Sequence, residues 1–379
     1  MGDGTTIFER MSALARAHEA TNLGQGFPDF GWPDDVLAHA ARMLIDQSNQ
    51  YPPMRGLPEL HRAVADHYRA HQAIEAESDE VIVTSGATEA LAATLLALIE
   101  PGDEVVLFQP LYDAYLPLVR GAGGVPRLVR LAPPDWRITR AALDAAFGPR
   151  TKLVLFNNPH NPAAIVADAA ELALLAEACV RHDVIAVCDE VWEHVVFDGR
   201  RHVPLIALPG MRERTVKIGS AGKIFSLTGW KVGWVLAAPP LAEAVAGMHQ
   251  FLTFTTPPNL QAAVAYGLGK SSDYFTGMRA ALERSRDRLA AGLRERGYAT
   301  LAAEGTYFLS VDLAASGIEA DDVSFCERAV REAGVAAIPV SAFYADDPVR
   351  HIVRLCFAKG DATIDAGLAG LERARALFD

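Results

Sequence analysis

The stretch Gly219-Ser220-Ala221-Gly222-Lys223-Ile224-Phe225-Ser226-Leu227-Thr228-Gly229-Trp230-Lys231-Val232-Gly233-Trp234 decides how the rest of the chain is read. It sets one lysine, Lys223, among small residues, with Ser220 before it and a second lysine, Lys231, after it. Ala221 and Gly222 let another body approach the backbone closely, and the apolar run Ile224, Phe225, Leu227 and Trp230 is expected to be buried. A lysine amine desolvated in such a setting loses basicity and becomes a nucleophile towards a carbonyl. A carbonyl compound that also carries a phosphate would suit the nearby hydroxyl and the second cation.

Outward from this stretch, residues 80–240 alternate short β-branched runs with helical segments. The runs are Val81–Thr84, Glu104–Phe108, Leu153–Asn157, Val184–Cys188, Thr215–Ile218 and Val232–Ala237, with helices expected over 88–99, 113–122, 139–147 and 168–182. Asp168 with Glu171 three residues later reads as a capping box. Continuous apolar strands between helices imply an α/β fold with a mostly parallel sheet covered on both faces. Ligands in such sheets sit at the carboxyl ends of the strands. Before this region, helices are expected over 1–20, 34–46 and 57–71. After it comes a helical region over 240–296, broken near Thr256-Pro257-Pro258, and then a zone of mixed texture. That zone holds Tyr307–Leu313, a helix over 321–333, Val335–Pro339, Ile352–Phe357 and a last helix over 361–377. The pattern predicts a large domain over 47–275 and a smaller α+β domain built from 1–46 together with 276–379.

With 379 residues, half of them hydrophobic, the chain has ample material for two cores. A formal net charge of −12 argues against nucleic acid or an anionic membrane as partner. No apolar run is long enough to span a bilayer, and the polar start is unlike a secretory signal. Cys179, Cys188, Cys326 and Cys356 show no metal-ligand spacing. Buried free thiols in a cytoplasmic protein is the reading, and no metal site is expected.

Four further segments bear on chemistry. Strand Val81–Thr84 runs through Ser85-Gly86-Ala87-Thr88 into a helix, and a small-residue turn at a helix N-terminus suits a phosphate; a plain tight turn is the alternative. Asn161 stands between two prolines in Asn157-Asn158-Pro159-His160-Asn161-Pro162, so its amide projects from a rigid loop and could donate to a phenolate-like oxygen; an ordinary Asn/Pro turn is the rival. Asp189 directly follows a buried strand. Its carboxylate either faces a pyridine nitrogen, keeping that ring protonated as an electron sink, or is satisfied by helix N–H groups or an arginine. Arg354 stands mid-strand between apolar neighbours, where it must meet an anion such as an α-carboxylate or a structural ion-pair partner. For Lys223, pyridoxal phosphate is the natural carbonyl partner.

In this order the segments resemble the pyridoxal-phosphate aminotransferases of fold type I, class I/II, from Asn22 to about Lys359. The most specific match is Ser220-Ala221-Gly222-Lys223 with Gly229-Trp230-Lys231-Val232-Gly233. Gly24-Gln25-Gly26-Phe27-Pro28-Asp29-Phe30, Gln50-Tyr51-Pro52-Pro53-Met54-Arg55-Gly56 and Ala337-Ile338-Pro339-Val340-Ser341-Ala342-Phe343-Tyr344 are similar to the kynurenine, glutamine–phenylpyruvate and methionine transaminase group. The resemblance implies a seven-stranded-type central sheet and pyridoxal 5'-phosphate as cofactor. Lys223 would bond the cofactor and shuttle the proton, with Asp189 on the pyridine nitrogen and Asn161 on the ring hydroxyl oxygen. Gly86, Ala87, Thr88, Ser220 and Lys231 would hold the phosphate, and Tyr112 would stack on the ring. Arg354 would bind the substrate carboxylate, helped by the backbone near Gly26. Tyr51 would reach the neighbouring subunit of a homodimer.

Two positions depart from the pattern. Trp192 stands where the family carries a tyrosine that donates to the ring hydroxyl, which predicts a raised pKa of the cofactor linkage and weaker cofactor retention. Ala163-Ala164 replaces the usual Thr-Gly after Pro162, touching loop geometry more than chemistry. The implied reaction is ping-pong transamination between an amino acid and a 2-oxo acid. The aromatic set Phe27, Phe30, Trp32 and the surroundings of Tyr307 favours apolar, aromatic or sulfur-containing side chains, although core packing explains some of these residues equally. Two other readings share the sequence features: a β-lyase acting on cysteine conjugates, and a non-catalytic effector-binding module.

Overall fold

Seven strands form the central sheet of the computed structural model, which describes residues 6–378. Their order is Val81–Thr84, Gly233–Ala237, Thr215–Ser220, Ile185–Asp189, Thr151–Asn157, Glu104–Gln109 and Val125–Arg130. All neighbours pair in parallel except Gly233–Ala237, which runs antiparallel to both of its partners. Six strands follow the apolar runs of the sequence. The seventh, Val125–Arg130, carries Pro126 and exposes Val125, Arg127 and Arg130 while burying only Val129. It forms the outer edge of the sheet, where a missing proline N–H need not break a ladder and one side meets solvent. Its pattern therefore lacks the apolar continuity that marks the inner strands.

Helix Gly86–Leu98 follows the first strand directly, and Ala169–His182 opens on the expected capping box. The Asp168 carboxylate accepts from the N–H groups of Ala170 and Glu171, and the Glu171 carboxylate accepts from the N–H of Asp168. The later helical region resolves into Pro239–Leu252, Pro258–Leu268 and Ser272–Glu295. The first two begin on prolines, which need no intrahelical N–H partner there.

A second, antiparallel sheet has the order Ile338–Pro339, Ile352–Cys356, Phe308–Asp312, Ala299–Thr300. Helices Asp322–Ala333 and Asp361–Arg375 join it in one apolar core. The start of the chain docks here. Strand Thr21–Asn22 pairs in parallel with Val335–Ala336, and the Cys356 N–H donates to the carbonyl of Leu23. Helix Ile7–Ala17 precedes it; the part of the expected helix over residues 1–5 lies outside the described residues. The expected boundary at 275/276 falls inside Ser272–Glu295. Phe275 of that helix shares a core with Trp234 of the large sheet and Tyr68 of helix Pro58–Gln72, while Leu289 and Leu293 share one with Leu368 and Leu371. The chain is therefore helical across the expected boundary. All four cysteines are free and buried. Among the described residues no helix is long and apolar enough to cross a membrane.

Candidate active site

The parallel register sets Asn157 beside Asp189 at the carboxyl ends of adjacent strands. The next strand, Thr215–Ser220, turns at once into the short helix Ala221–Ile224 that carries Lys223. A cavity of about 500 Å³ opens at this edge, inside the range of roughly 300–1,000 Å³ common for small-molecule sites.

One end of the cavity is built from small residues. Gly86 has φ +76°, and a Cβ on it would lie 3.2 Å from the Lys231 Nζ. Gly233 is needed for close approach, because its Cβ would come 2.8 Å from the carbonyl carbon of Gly86 and 2.9 Å from the nitrogen of Ala87. The leading N–H groups of helix Gly86–Leu98, those of Gly86, Ala87 and Thr88, lack intrahelical acceptors and form the positive end of its dipole. Ser220 and Lys231 line the same end. Lys231 itself adopts φ +54°, a strained region that sets its ammonium over Gly86. This donor set fits a phosphate.

In the middle stands Lys223. Burial lowers its pKa to about 8, against the pull of the Asp189 carboxylate. Its ammonium lies 4.6 Å from the centre of the Trp192 ring, which in turn meets Tyr307 edge-on at 4.4 Å. The Tyr307 hydroxyl donates to the Lys223 carbonyl at 2.7 Å, fixing the turn that presents the amine. Asp189 accepts from the Tyr115 hydroxyl at 2.7 Å. Burial pushes the Asp189 carboxyl pKa up, opposed by that hydroxyl and the Val191 N–H. Tyr112 lines the same space.

At the other end Arg354 is 1% exposed. It donates to Asn161 Oδ1 at 2.7 Å and to the Gly24 carbonyl at 3.0 Å, and its guanidinium lies 3.7 Å from the centre of the Phe308 ring. Among the described residues no carboxylate pairs with it, and its Nε has no partner. Burial lowers its pKa to about 9. A guanidinium kept in apolar surroundings without a counter-ion is costly unless an anion arrives from outside. Because Asn161 spends its carbonyl oxygen on Arg354, its amide nitrogen remains as a donor. Gly26 also lines this end, and a Cβ on it would strike the Phe308 ring at 2.5 Å.

Four expected residues lie outside this lining. Tyr51 is 83% exposed and meets Phe254 edge-on at 5.6 Å. Phe27 lies outside the lining, with its ring 4.0 Å from the Lys359 ammonium, and Phe30 and Trp32 are also absent from it. The aromatic side chains that line it are Phe8, Tyr112, Tyr115, Trp192 and Phe308. Sequence reasoning missed Tyr115, whose contact with Asp189 spans 74 positions, and Asn157. The Asn157 amide donates to the Asp189 carbonyl and accepts from the Asn161 N–H, tying two site residues together. It also missed a buried ion network. Lys217 donates to Glu190 at 2.5 Å and Glu193 at 2.8 Å, and His202 lies 3.2 Å from Glu190. Glu190, Glu193 and His202 offer metal-type ligands within 4.8 Å of one another, but the Lys217 ammonium already supplies the positive charge. A lysine inside an apolar strand and a second acid after Asp189 were the available signals. Ala164 holds φ +59° in the turn after Pro162, where its carbonyl accepts from Glu304 and Gly305.

The arrangement offers a phosphate cradle, a nucleophilic amine beside a carboxylate, and an unpaired guanidinium in one cavity. These groups fit pyridoxal phosphate with an amino-acid substrate. Comparison with known proteins agrees. The family model "Aminotransferase class I and II" matches residues 18–370. A methionine aminotransferase of Escherichia coli (strain K12) is 41% identical over 375 residues, covering 99% of this chain and 96% of that protein. The N-succinyldiaminopimelate aminotransferase structure from Mycobacterium tuberculosis superposes with a TM-score of 0.95 at 42% identity, covering 98% of this chain and 97% of that one. Human kynurenine–oxoglutarate transaminase 1 is 36% identical over 393 residues, covering 93% of this chain and 92% of that protein.

Proposed function

From the premise that the chain belongs to the class I and II aminotransferases, which are pyridoxal-phosphate enzymes, we propose that it moves the α-amino group of methionine, phenylalanine, kynurenine or glutamine to a 2-oxo acid. Its relatives' names support methionine and kynurenine. Of the structural features, the unpaired, buried Arg354 facing the same cavity as Lys223 supports the reading most.

When bound, pyridoxal phosphate supplies a carbonyl for covalent attachment and a protonated ring that draws electrons from the substrate's α-carbon. Lys223 Nζ would carry that attachment and, once freed, would take the α-proton as a general base. Asp189, held by Tyr115, would keep a proton at the pyridine nitrogen. Asn161 Nδ2 would serve the ring hydroxyl oxygen, and Tyr112 and Trp192 would border the cofactor. Gly86, Ala87, Thr88, Ser220 and Lys231 would hold the phosphate. Arg354 grips the α-carboxylate through a pair of parallel N–H donors. Because the amino group is parked on the enzyme between two half-reactions, the kinetics are ping-pong.

The reading extends to assembly. Leu44, Ile45, Tyr51, Phe251 and Phe254 are exposed apolar side chains, which supports a homodimer in which Tyr51 enters the neighbouring site. The proposed units are residues 47–275 and residues 1–46 with 276–379, supported by the pairing of Thr21–Asn22 with Val335–Ala336. Four buried free thiols support a cytoplasmic location.

The test is a visible spectrum before and after adding L-methionine with no oxo acid present. Loss of the lysine-bound cofactor's band, restored by a 2-oxo acid, is expected. A band that no amino acid shifts would overturn transamination.

A further inference from the structure

Behind the loop that carries Asn157 and Asn161 lies a second, enclosed cavity of about 10 Å³. A space of that size holds one water molecule when its walls offer roughly two to four polar partners. Trp136 and Asn158, each 1% exposed, and His160, 6% exposed, all line it. Trp136 Nε1, Asn158 Nδ2 and His160 Nδ1 are buried atoms without a hydrogen-bond partner among the described residues. Their chemistry is complementary. The indole can only donate, and Asn158 spends its oxygen on the Ala167 N–H at 3.0 Å, which leaves its NH2 to donate. Burial lowers the His160 pKa to about 4, so the ring is neutral at pH 7. The Pro110 carbonyl, which can only accept, takes the ring's one N–H and leaves Nδ1 as an acceptor. Two donors and one acceptor match a water that accepts twice and donates once.

From this lining we propose that the cavity binds one structural water, through which Trp136, Asn158 and His160 act as positioning residues for Asn161. The active-site face and the water face belong to the same loop. Asn157 lines both cavities, donates to the Asp189 carbonyl and accepts from the Asn161 N–H. The Asn158 N–H donates to the same Asp189 carbonyl at 3.1 Å, and the His160 N–H donates to the Ile165 carbonyl at 2.9 Å. Trp136 belongs to a different segment, and the water is what ties it to the loop. A buried polar group left unpaired is costly, so loss of the water would drive these side chains towards other partners. Any such shift reaches the next residue, Asn161, whose oxygen holds Arg354 at 2.7 Å. The water itself needs no cofactor; its effect on cofactor binding rests on the transaminase reading above.

The test begins with a high-resolution crystal structure of the holoenzyme. One compact density peak within about 3.2 Å of all three atoms is expected, and no peak there would overturn the site. Function is read on His160→Asn and His160→Leu, two variants of similar size of which only the first keeps an acceptor near the place of Nδ1. In His160→Leu the peak should vanish and the cofactor's dissociation constant should rise about tenfold. The midpoint of the pH-dependent colour change should also rise, by about half a unit, because a displaced Asn161 serves an ionised ring hydroxyl less well. His160→Asn should keep the peak and the midpoint, with a dissociation constant within about threefold of the wild type. Trp136→Phe removes a donor from the other segment, should move the midpoint the same way, and decides the question where His160→Leu does not fold. Lower thermal stability with an unmoved midpoint in these variants would overturn the positioning role. If the wild type takes up no cofactor, the transaminase reading fails, and the density still decides the water.

Discussion

The hydroxyl of Tyr115 donates a 2.7 Å hydrogen bond to Oδ2 of Asp189, and both side chains are buried. Burial raises the pKa of the Asp189 carboxyl, and this hydroxyl is the largest influence opposing it. Tyr115→Phe should therefore push Asp189 further towards its neutral form and weaken its hold on a protonated ring nitrogen. A loss of about 1.5–3 kcal/mol in stability is expected for a buried hydrogen bond to a charged group. Cofactor retention should fall by about tenfold, a difference of about 1.4 kcal/mol. Equilibrium dialysis of the cofactor and thermal unfolding check both; unaltered retention would reduce Tyr115 to a packing residue.

Lys223 carries a pKa lowered by burial to about 8, so its free, nucleophilic form grows as pH rises through that value. The rate at which cofactor-free protein captures pyridoxal phosphate should rise with pH and level off above about 8. Between there and its ordinary value of 10.5 the unfolded chain binds the extra proton, so this lysine's contribution to stability also rises with pH in that window. Stopped-flow absorbance gives the profile. A capture rate flat on both sides of pH 8 would contradict the assignment.

Arg354→Lys keeps a charge but not a planar fork. A lysine cannot hold Asn161 Oδ1 and the Gly24 carbonyl while offering two parallel donors to a carboxylate. The value of kcat/KM for methionine should fall by about a hundredfold, mostly through KM, while the spectrum of the bound cofactor stays the same. Unchanged KM would remove Arg354 from substrate binding.

Trp192→Tyr introduces a phenol beside Lys223. A phenol that donates to the cofactor's ring hydroxyl oxygen would favour its ionised form, so the midpoint of the pH-dependent colour change should fall. Lost indole contacts with Tyr307 at 4.4 Å and Phe308 at 5.7 Å should cost about 1–2 kcal/mol. A midpoint that stays put would mean the new hydroxyl points elsewhere.

Phe254→Asp plants a charge in the exposed apolar patch beside Tyr51. Sedimentation should show the wild type as a dimer and the variant shifted towards monomer, with cofactor binding weakened as the neighbouring Tyr51 is withdrawn. A variant that remains dimeric would move the interface off this patch.

Much of the fold was legible because its strands are apolar along their whole length and its helix starts are chemically marked, as at Asp168 and Pro258. Val125–Arg130 was not, since an edge strand satisfies solvent on one side and reads like a loop. In the site, residues that chemistry forces into view were legible: a lysine among glycines, an arginine in a buried strand, and an acid at a strand's end. Tyr115, Asn157 and Phe308 were not. Their side chains are ordinary for their local setting, and their roles come from partners brought together by the fold. Tyr51 and Phe27 show the converse: a motif can name a residue that its own chain does not carry into the cavity.

The antiparallel insertion of Gly233–Ala237 between Val81–Thr84 and Thr215–Ser220 has a consequence in time. The phosphate cradle joins Gly86 to Lys231 and Gly233, so it closes only when a late strand threads between two earlier ones. Every residue that this chain itself places around the cofactor has then been synthesised, but Arg354 lies about 120 residues further on. At common synthesis speeds that interval is roughly ten seconds. The nascent chain thus acquires its cofactor end before its substrate end, and the half that performs chemistry waits on the half that chooses what to perform it on.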